Sequence, residues 1–189
     1  MMLRSSIKWW CGALALACAL LVRAPAAEPV PLAEHQIKAL YLFNFTKYVE
    51  WPAAASNAAP FVIGVCESLE VKNDLVEITR DKNVQGRPIV IHAIQSAQEA
   101  ATCHLLFIGA TDKERIAEFL RLTRSAAVLT VGDAEQFVAL GGMINFVRRE
   151  NKLRLEIGLD AVQRAHLVMS AKLLAIAGSI KGRADPQRK

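Results

Sequence analysis

No glycine-rich GxGxxG segment follows an apolar run in this sequence, and it contains no Walker motif, no GxSxG, no HExxH and no CxxC. Those absences remove the fingerprints of dinucleotide binding, P-loop nucleotide binding, α/β-hydrolase catalysis, zinc proteolysis and dithiol exchange. The four histidines, His35, His92, His104 and His166, are scattered without ligand spacing, so no metal site is expected. There are no internal repeats or low-complexity tracts, which excludes a solenoid. Long apolar runs are missing too. The longest, Trp9 to Val22, is about fourteen residues, short for a membrane span.

That run has a different use. Arg4 and Lys8 precede it and Ala24 and Ala26 follow it, the order found in a cleaved secretory signal. The expected layout is a signal peptide over residues 1–26, a linker over 27–33, one domain over 34–181 and a flexible tail over 182–189, with the mature chain in the periplasm. An uncleaved anchor and a lipoprotein site at Cys18 are the competing readings, the second disfavoured because apolar residues continue past that cysteine. Losing Arg4, Lys8 and Arg23 takes the Lys and Arg total from 23 to 20, against 18 acidic residues. The apparent basicity belongs mostly to the signal, and nothing in the remainder calls for nucleic acid. Cys11 and Cys18 leave as well, so Cys66 and Cys103 remain as an even pair in an exported chain. A disulfide and two buried thiols both fit that pair, and the compartment favours the bridge.

What is present is apolar patterning of two kinds. "EHQIKALYLFNFTKYVE" (34–50) carries a helical stripe at Ile37, Leu40, Tyr41, Phe45 and Tyr48, and Leu42, Phe43 and Val49 make a second apolar face. Leu40, Tyr41 and Phe45 are expected in the core. Leu42, Phe43 and Trp51 are then left as a candidate partner-binding face, for a second copy, a different protein or another part of this chain. Asn44 on the buried stripe requires a hydrogen-bond partner, since an unpaired amide there costs about 1 to 3 kcal/mol.

Short continuous apolar runs, 61–66, 89–94, 103–109 and 127–132, read as buried strands. Helices are expected at 68–78, at 112–122 behind a Thr111 cap, and at 134–140. Asp133 reads as the N-cap of that last piece, with a functional carboxylate at a strand end as the other reading. "MINFVRRENKLRLEI" is a hairpin with one wet face. A closing helix over 159–180 opens with Asp160 and Gln163 at capping-box spacing and carries Val162, Ala165, Met169, Leu173 and Ile176 on one side. Arg164 and His166 near its start are candidate ligands for an anionic or aromatic molecule, against a purely structural histidine. The sum is an α/β layered single domain: a mixed β-sheet with flanking helices, a C-terminal antiparallel hairpin and a long closing helix.

Together "IKALYLFNFTKYVEWP", "GRPIVIHAI", "CHLLFIG", "VLTVGD" and "GGMINFVRRENKLRLEIGLDAV" followed by "AHLVMSAKLLAIA" resemble the YfiR family of small exported bacterial proteins, from about Glu34 to Ala177. The resemblance implies a periplasmic repressor, without catalysis or cofactor. Such a repressor binds the extracytoplasmic region of an inner-membrane diguanylate cyclase, restrains cyclic-di-GMP synthesis and limits biofilm formation. It also implies an outer-membrane lipoprotein as a sequestering partner and a redox-sensitive cysteine pair. Cys66 and Cys103 match one pair of the family, and the second pair carried by some members is missing here. A periplasmic small-ligand sensor acting through a different membrane partner, and a hydrolase with a scattered Ser, His and Asp, are the alternatives from other classes.

Overall fold

The computed structural model describes residues 31–52 and 59–182. The expected signal peptide, most of the linker, and the tail beyond Gly182 lie outside the described residues. In chain order the elements are α1 (Glu34–Tyr48), β1 (Val49–Glu50), β2 (Phe61–Cys66), α2 (Leu69–Thr79), β3 (Asn83–Val84), β4 (Arg87–Ala93), α3 (Ala97–Ala100), β5 (Leu105–Ile108), α4 (Lys113–Thr123), β6 (Leu129–Gly132), β7 (Ile144–Arg149), β8 (Lys152–Gly158), α5 (Leu159–Arg164), β9 (Val168–Met169), α6 (Ala171–Ala175) and β10 (Ser179–Lys181).

An eight-stranded sheet in the order β10-β8-β7-β6-β5-β2-β4-β3 forms the middle layer, and β1 pairs with β9 apart from it. β4, β2, β5, β6 and β7 run parallel, while the β7–β8 hairpin and β3 add antiparallel pairs, so the sheet is mixed as expected. Alternation along the strands sorts the core into two clusters. Phe61, Ile63, Val65, Leu105, Phe107, Leu129, Val131, Ile144 and Phe146 face the layer of α1, α2, α5 and α6. Cys66, Leu106 and Ile108 face α3 and α4. Both faces of the central strands are therefore covered, which is why their sequences read as unbroken apolar runs.

Three expectations change. The closing helix over 159–180 is instead α5, a turn, β9, α6 and β10. His166 sits at φ +56°, which an α-helix cannot include, and after Gly178 the chain pairs in parallel with β8, a more complete use of its backbone groups than an exposed helix end. The piece 134–140 is a run of turns. Gln136 takes φ +62°, and the Phe137 ring fills the space left by two glycines: a Cβ on Gly132 would lie 2.5 Å from it, and one on Gly142 would overlap it. The α4 cap is Asp112, whose carboxylate accepts from the Glu114 and Arg115 amides, rather than Thr111. The β7–β8 hairpin closes through Glu150 and Asn151, both at positive φ (51° and 59°), the geometry of a two-residue turn matched to strand twist.

Candidate functional site

The greasy helix α1 is nearly enclosed, but not with the faces expected. Leu42 is 0 % exposed and lies in the core cluster with Phe45, whereas Leu40 is 38 % exposed. Tyr41 and Phe45 pack on Phe146 of the sheet, with ring centroids 5.8 and 6.1 Å away. α2 and α6 cover much of the remainder. The correction is a rotation of the helix about its axis by roughly one residue's 100°. Because both faces are apolar, periodicity did not define which was inner, and Leu42 cannot be a surface anchor. Asn44 is half-buried, and its amide oxygen accepts from Lys47 Nζ (3.0 Å) within the same helix.

Phe43 behaves differently from its neighbours. It is 8 % exposed yet belongs to neither apolar cluster. Two ammonium groups cover its ring, Lys47 Nζ at 4.4 Å and Lys82 Nζ at 5.6 Å from the centroid. It borders a surface groove of about 270 Å³ lined also by Thr46, Lys47, Val49, Glu50, Asn83, Val84 and Gln85. The far wall is the β3–β4 hairpin, turned through Gln85 and Gly86 at φ 53° and 79°. Lys82, Asn83 and Val84 lie in "DKNVQGRP", whose composition signals a turn and no site. The "QG" pair ahead of the apolar run from Ile89 was the available signal for a hairpin, weak because β3 has two residues.

Trp51 does not line the groove. Its Nε1–H donates to the His104 carbonyl (2.9 Å) and its ring stands edge-on to Phe61 at 5.0 Å, which makes it a pin for the start of β2 and β5. Next to it, Arg87 is buried and donates to the Ala59 and Pro60 carbonyls, with Nη2 2.8 Å from His104 Nε2. The Val62 amide donates to His104 Nδ1 (3.1 Å). Burial first, and then the Arg87 charge, push the His104 pKa below its ordinary value.

Asp133 is not a helix cap. Its carboxylate meets Lys38 Nζ at 2.6 Å, and Lys38 also reaches Glu34, which pairs with Arg148. Burial disfavours the Lys38 ammonium, but the hydrogen bonds to Asp133 and Glu34 outweigh it and raise the Lys38 pKa. The hydrogen bonds from Lys38 and Arg148 lower that of Glu34. This network ties α1 to the end of β6. Arg164 and His166 are both exposed; Arg164 borders a cavity of about 10 Å³, room for a single water, and His166 is on the turn after α5. They form no common site.

Cys66 and Cys103 are free and buried in the structure, in place of the expected bridge. Cys66 stands opposite Ile108 at the end of β2, while Cys103 precedes β5, so the register sets them at opposite ends of the strand pair. Cys103 Sγ folds back toward Gly64, where an added Cβ would meet it at 2.6 Å. Both sulfurs face the α4 cluster. Among the described residues no group of three or more His, Cys, Asp or Glu could hold a metal, and no helix is long and apolar enough to cross a membrane.

Against known proteins, residues 35–178 match a family described as YfiR/HmsC-like. No curated protein matches the chain. Solved structures similar to it include a conserved domain protein from Vibrio cholerae O1 biovar El Tor, with 14% identity and a TM-score of 0.50, covering 79% of this chain and 61% of that one. The ABC domain of Streptococcus pneumonia in complex with L-Trp is also similar, with 14% identity and a TM-score of 0.51, covering 76% of this chain and 60% of that one. The chain thus spans about three fifths of each, and at this identity the likeness is one of α/β fold.

Proposed function

Because the chain belongs to the YfiR/HmsC-like family, we propose that it is a periplasmic regulatory binding protein that restrains an inner-membrane diguanylate cyclase and so limits cyclic-di-GMP signalling and biofilm formation. The family is a regulatory, non-catalytic one. The match over residues 35–178 carries the reading, since it spans the whole described α/β domain apart from its edges. On this reading the chain acts by holding a protein, with the Phe43 groove as the contact surface, and an outer-membrane lipoprotein can compete for it.

The test is capture. The exported, tagged chain is incubated with detergent-solubilised inner membrane, and bound proteins are identified by mass spectrometry. Recovery of a diguanylate cyclase, together with raised cyclic-di-GMP on deletion of the gene, supports the reading. Unchanged cyclic-di-GMP on deletion and no cyclase recovered would reject it.

A second reading, a periplasmic small-ligand sensor acting through a different membrane partner, draws on one feature. The strand order reverses at β2 and β5, and an open α/β sheet has its crevice beyond such a point. There Glu67, at φ +56°, pairs with Arg115. Gly109 admits the Glu67 carbonyl so closely that a Cβ would lie 3.0 Å from it. A small molecule that survives purification while no membrane protein is captured would favour this reading over the first.

A further inference from the structure

The groove beside Phe43 combines three features. The first is an unbalanced charge. Lys47 and Lys82 converge on one ring, and among the described residues no carboxylate pairs with either ammonium; Lys47 has only the Asn44 amide oxygen. The second is an open sheet edge. β3 ends the eight-stranded sheet, and its register sets Asn83 opposite Pro88 and Val84 opposite Arg87. In a two-residue hairpin the pair next to the turn exchanges main-chain hydrogen bonds and the next pair does not, so the Asn83 N–H and C=O point away from β4. Pro88, without an N–H, can stand there at no loss. The third is an apolar floor of Phe43, Val49 and Val84, in a volume of about 270 Å³ that suits one or two side chains more than a whole cofactor. Glu50 on the same wall as Val49 gives the groove a negative end, so it is polarised.

Resting on the reading that this chain holds a protein partner, we propose that the groove between α1 and β3 receives an extended acidic segment of that partner. The segment continues the sheet at Asn83, sets an apolar side chain beside Phe43 in the groove, and brings carboxylates to Lys47 and Lys82. Strand addition of this kind takes affinity from main-chain hydrogen bonds and specificity from alternate side chains. The two lysines select the sign of charge, and Glu50 repels a segment laid in the reverse sense. Shortness is the usual protection of an edge such as β3, and here it limits the added segment to one residue's pair of backbone bonds, so the charges must supply much of the selectivity.

The test uses the exported chain and two fluorescein-labelled ten-residue peptides, one alternating glutamate with valine and one alternating lysine with valine, followed by anisotropy at low salt. The acidic peptide is expected to bind, and the double variant Lys47→Glu, Lys82→Glu to weaken it tenfold or more with an unchanged thermal midpoint, since both lysines are exposed. Binding of the lysine peptide should appear in the double variant alone. Equal binding of the acidic peptide by variant and wild type, or no binding to wild type, overturns the proposal. So does lysine-dependent sedimentation with phosphatidylglycerol vesicles in the absence of peptide binding. Membrane capture separates this result from the broader reading. If the double variant recovers the cyclase as well as wild type does, the groove is refuted and the regulator stands; if wild type recovers none, the regulator reading fails whatever the peptides do.

Discussion

At the scale of single residues, titrating groups inside the fold make it sensitive to pH at both ends. His104 lies between two donors, the Val62 amide and Arg87. The neutral ring has one lone pair for them, and the protonated ring has none. Its pKa in the folded state is lowered, so between that value and about 6.5 the unfolded chain binds more protons. Stability is therefore fully present above about pH 6.5 and declines as pH falls below it. A His104→Gln variant, followed by thermal unfolding from pH 7.5 to 5, should lose much of that decline; an unaltered slope would assign it to other groups. Cys103 acts in the opposite direction. Burial pushes its thiol up to about 11, so between about pH 9 and 11 the unfolded chain loses a proton that the folded chain keeps, and stability falls with rising pH. The same thiol should resist iodoacetamide at pH 8 in the native protein and react at once in denaturant. Rapid native alkylation of Cys103 would show that it is not held as the structure has it.

At the scale of elements, α1 offers the clearest contrast. Leu42→Ala should cost about 2 to 5 kcal/mol, as for a fully buried leucine, while Leu40→Ala, two residues earlier and 38 % exposed, should stay within about 0.5 kcal/mol. Denaturant midpoints decide between this facing and the reverse one. Phe43→Ala should cost less than Leu42→Ala, because its ring lies outside both apolar clusters and under two ammonium groups; on the proposed function it should also raise cyclic-di-GMP in cells that carry the variant. The helix itself was legible in the sequence; its facing was not, since apolar residues lie all round it and a stripe is informative only against a polar background. The central strands were legible for the opposite reason. Burial on both faces leaves an apolar run bounded by turns, and β2, β5 and β6 lie within a residue or two of where the runs place them. Residues 159–180 misled because Val162, Ala165, Met169, Leu173 and Ile176 keep helical spacing even though the chain breaks at His166. A positive φ at a histidine leaves no trace in hydrophobic pattern. The groove was half legible: Phe43 stood out as an apolar residue beyond what one helix face needs, but Lys82 comes to it only through a hairpin too short to signal itself.

At the scale of the whole molecule, the sheet must end somewhere, and its two ends are treated differently. β3 is left open beside the groove, whereas the hairpin strand β8 is covered by β10, which pairs in parallel from Ser179 opposite Glu156 to Lys181 opposite Gly158. Lys181 Nζ meets the Glu156 carboxylate at 2.7 Å, an ion pair in which Glu156 is mostly buried and its partner mostly exposed. Without β10, a seven-residue strand with Leu155 and Ile157 in the core would present its outer backbone groups to solvent, a template for pairing with another chain. Glu156 would lose its cation at the same time, and a carboxylate with little exposure and no partner is costly. A chain ending at Gly178 should therefore melt at a lower temperature than one ending at Lys189, and its mass in light scattering should rise with concentration more steeply. Lys181→Gln in the longer chain should lower the midpoint without this association, because the edge remains covered. If the shorter chain keeps both its midpoint and its mass, β10 does not close the sheet, and the β8 edge is protected by something else.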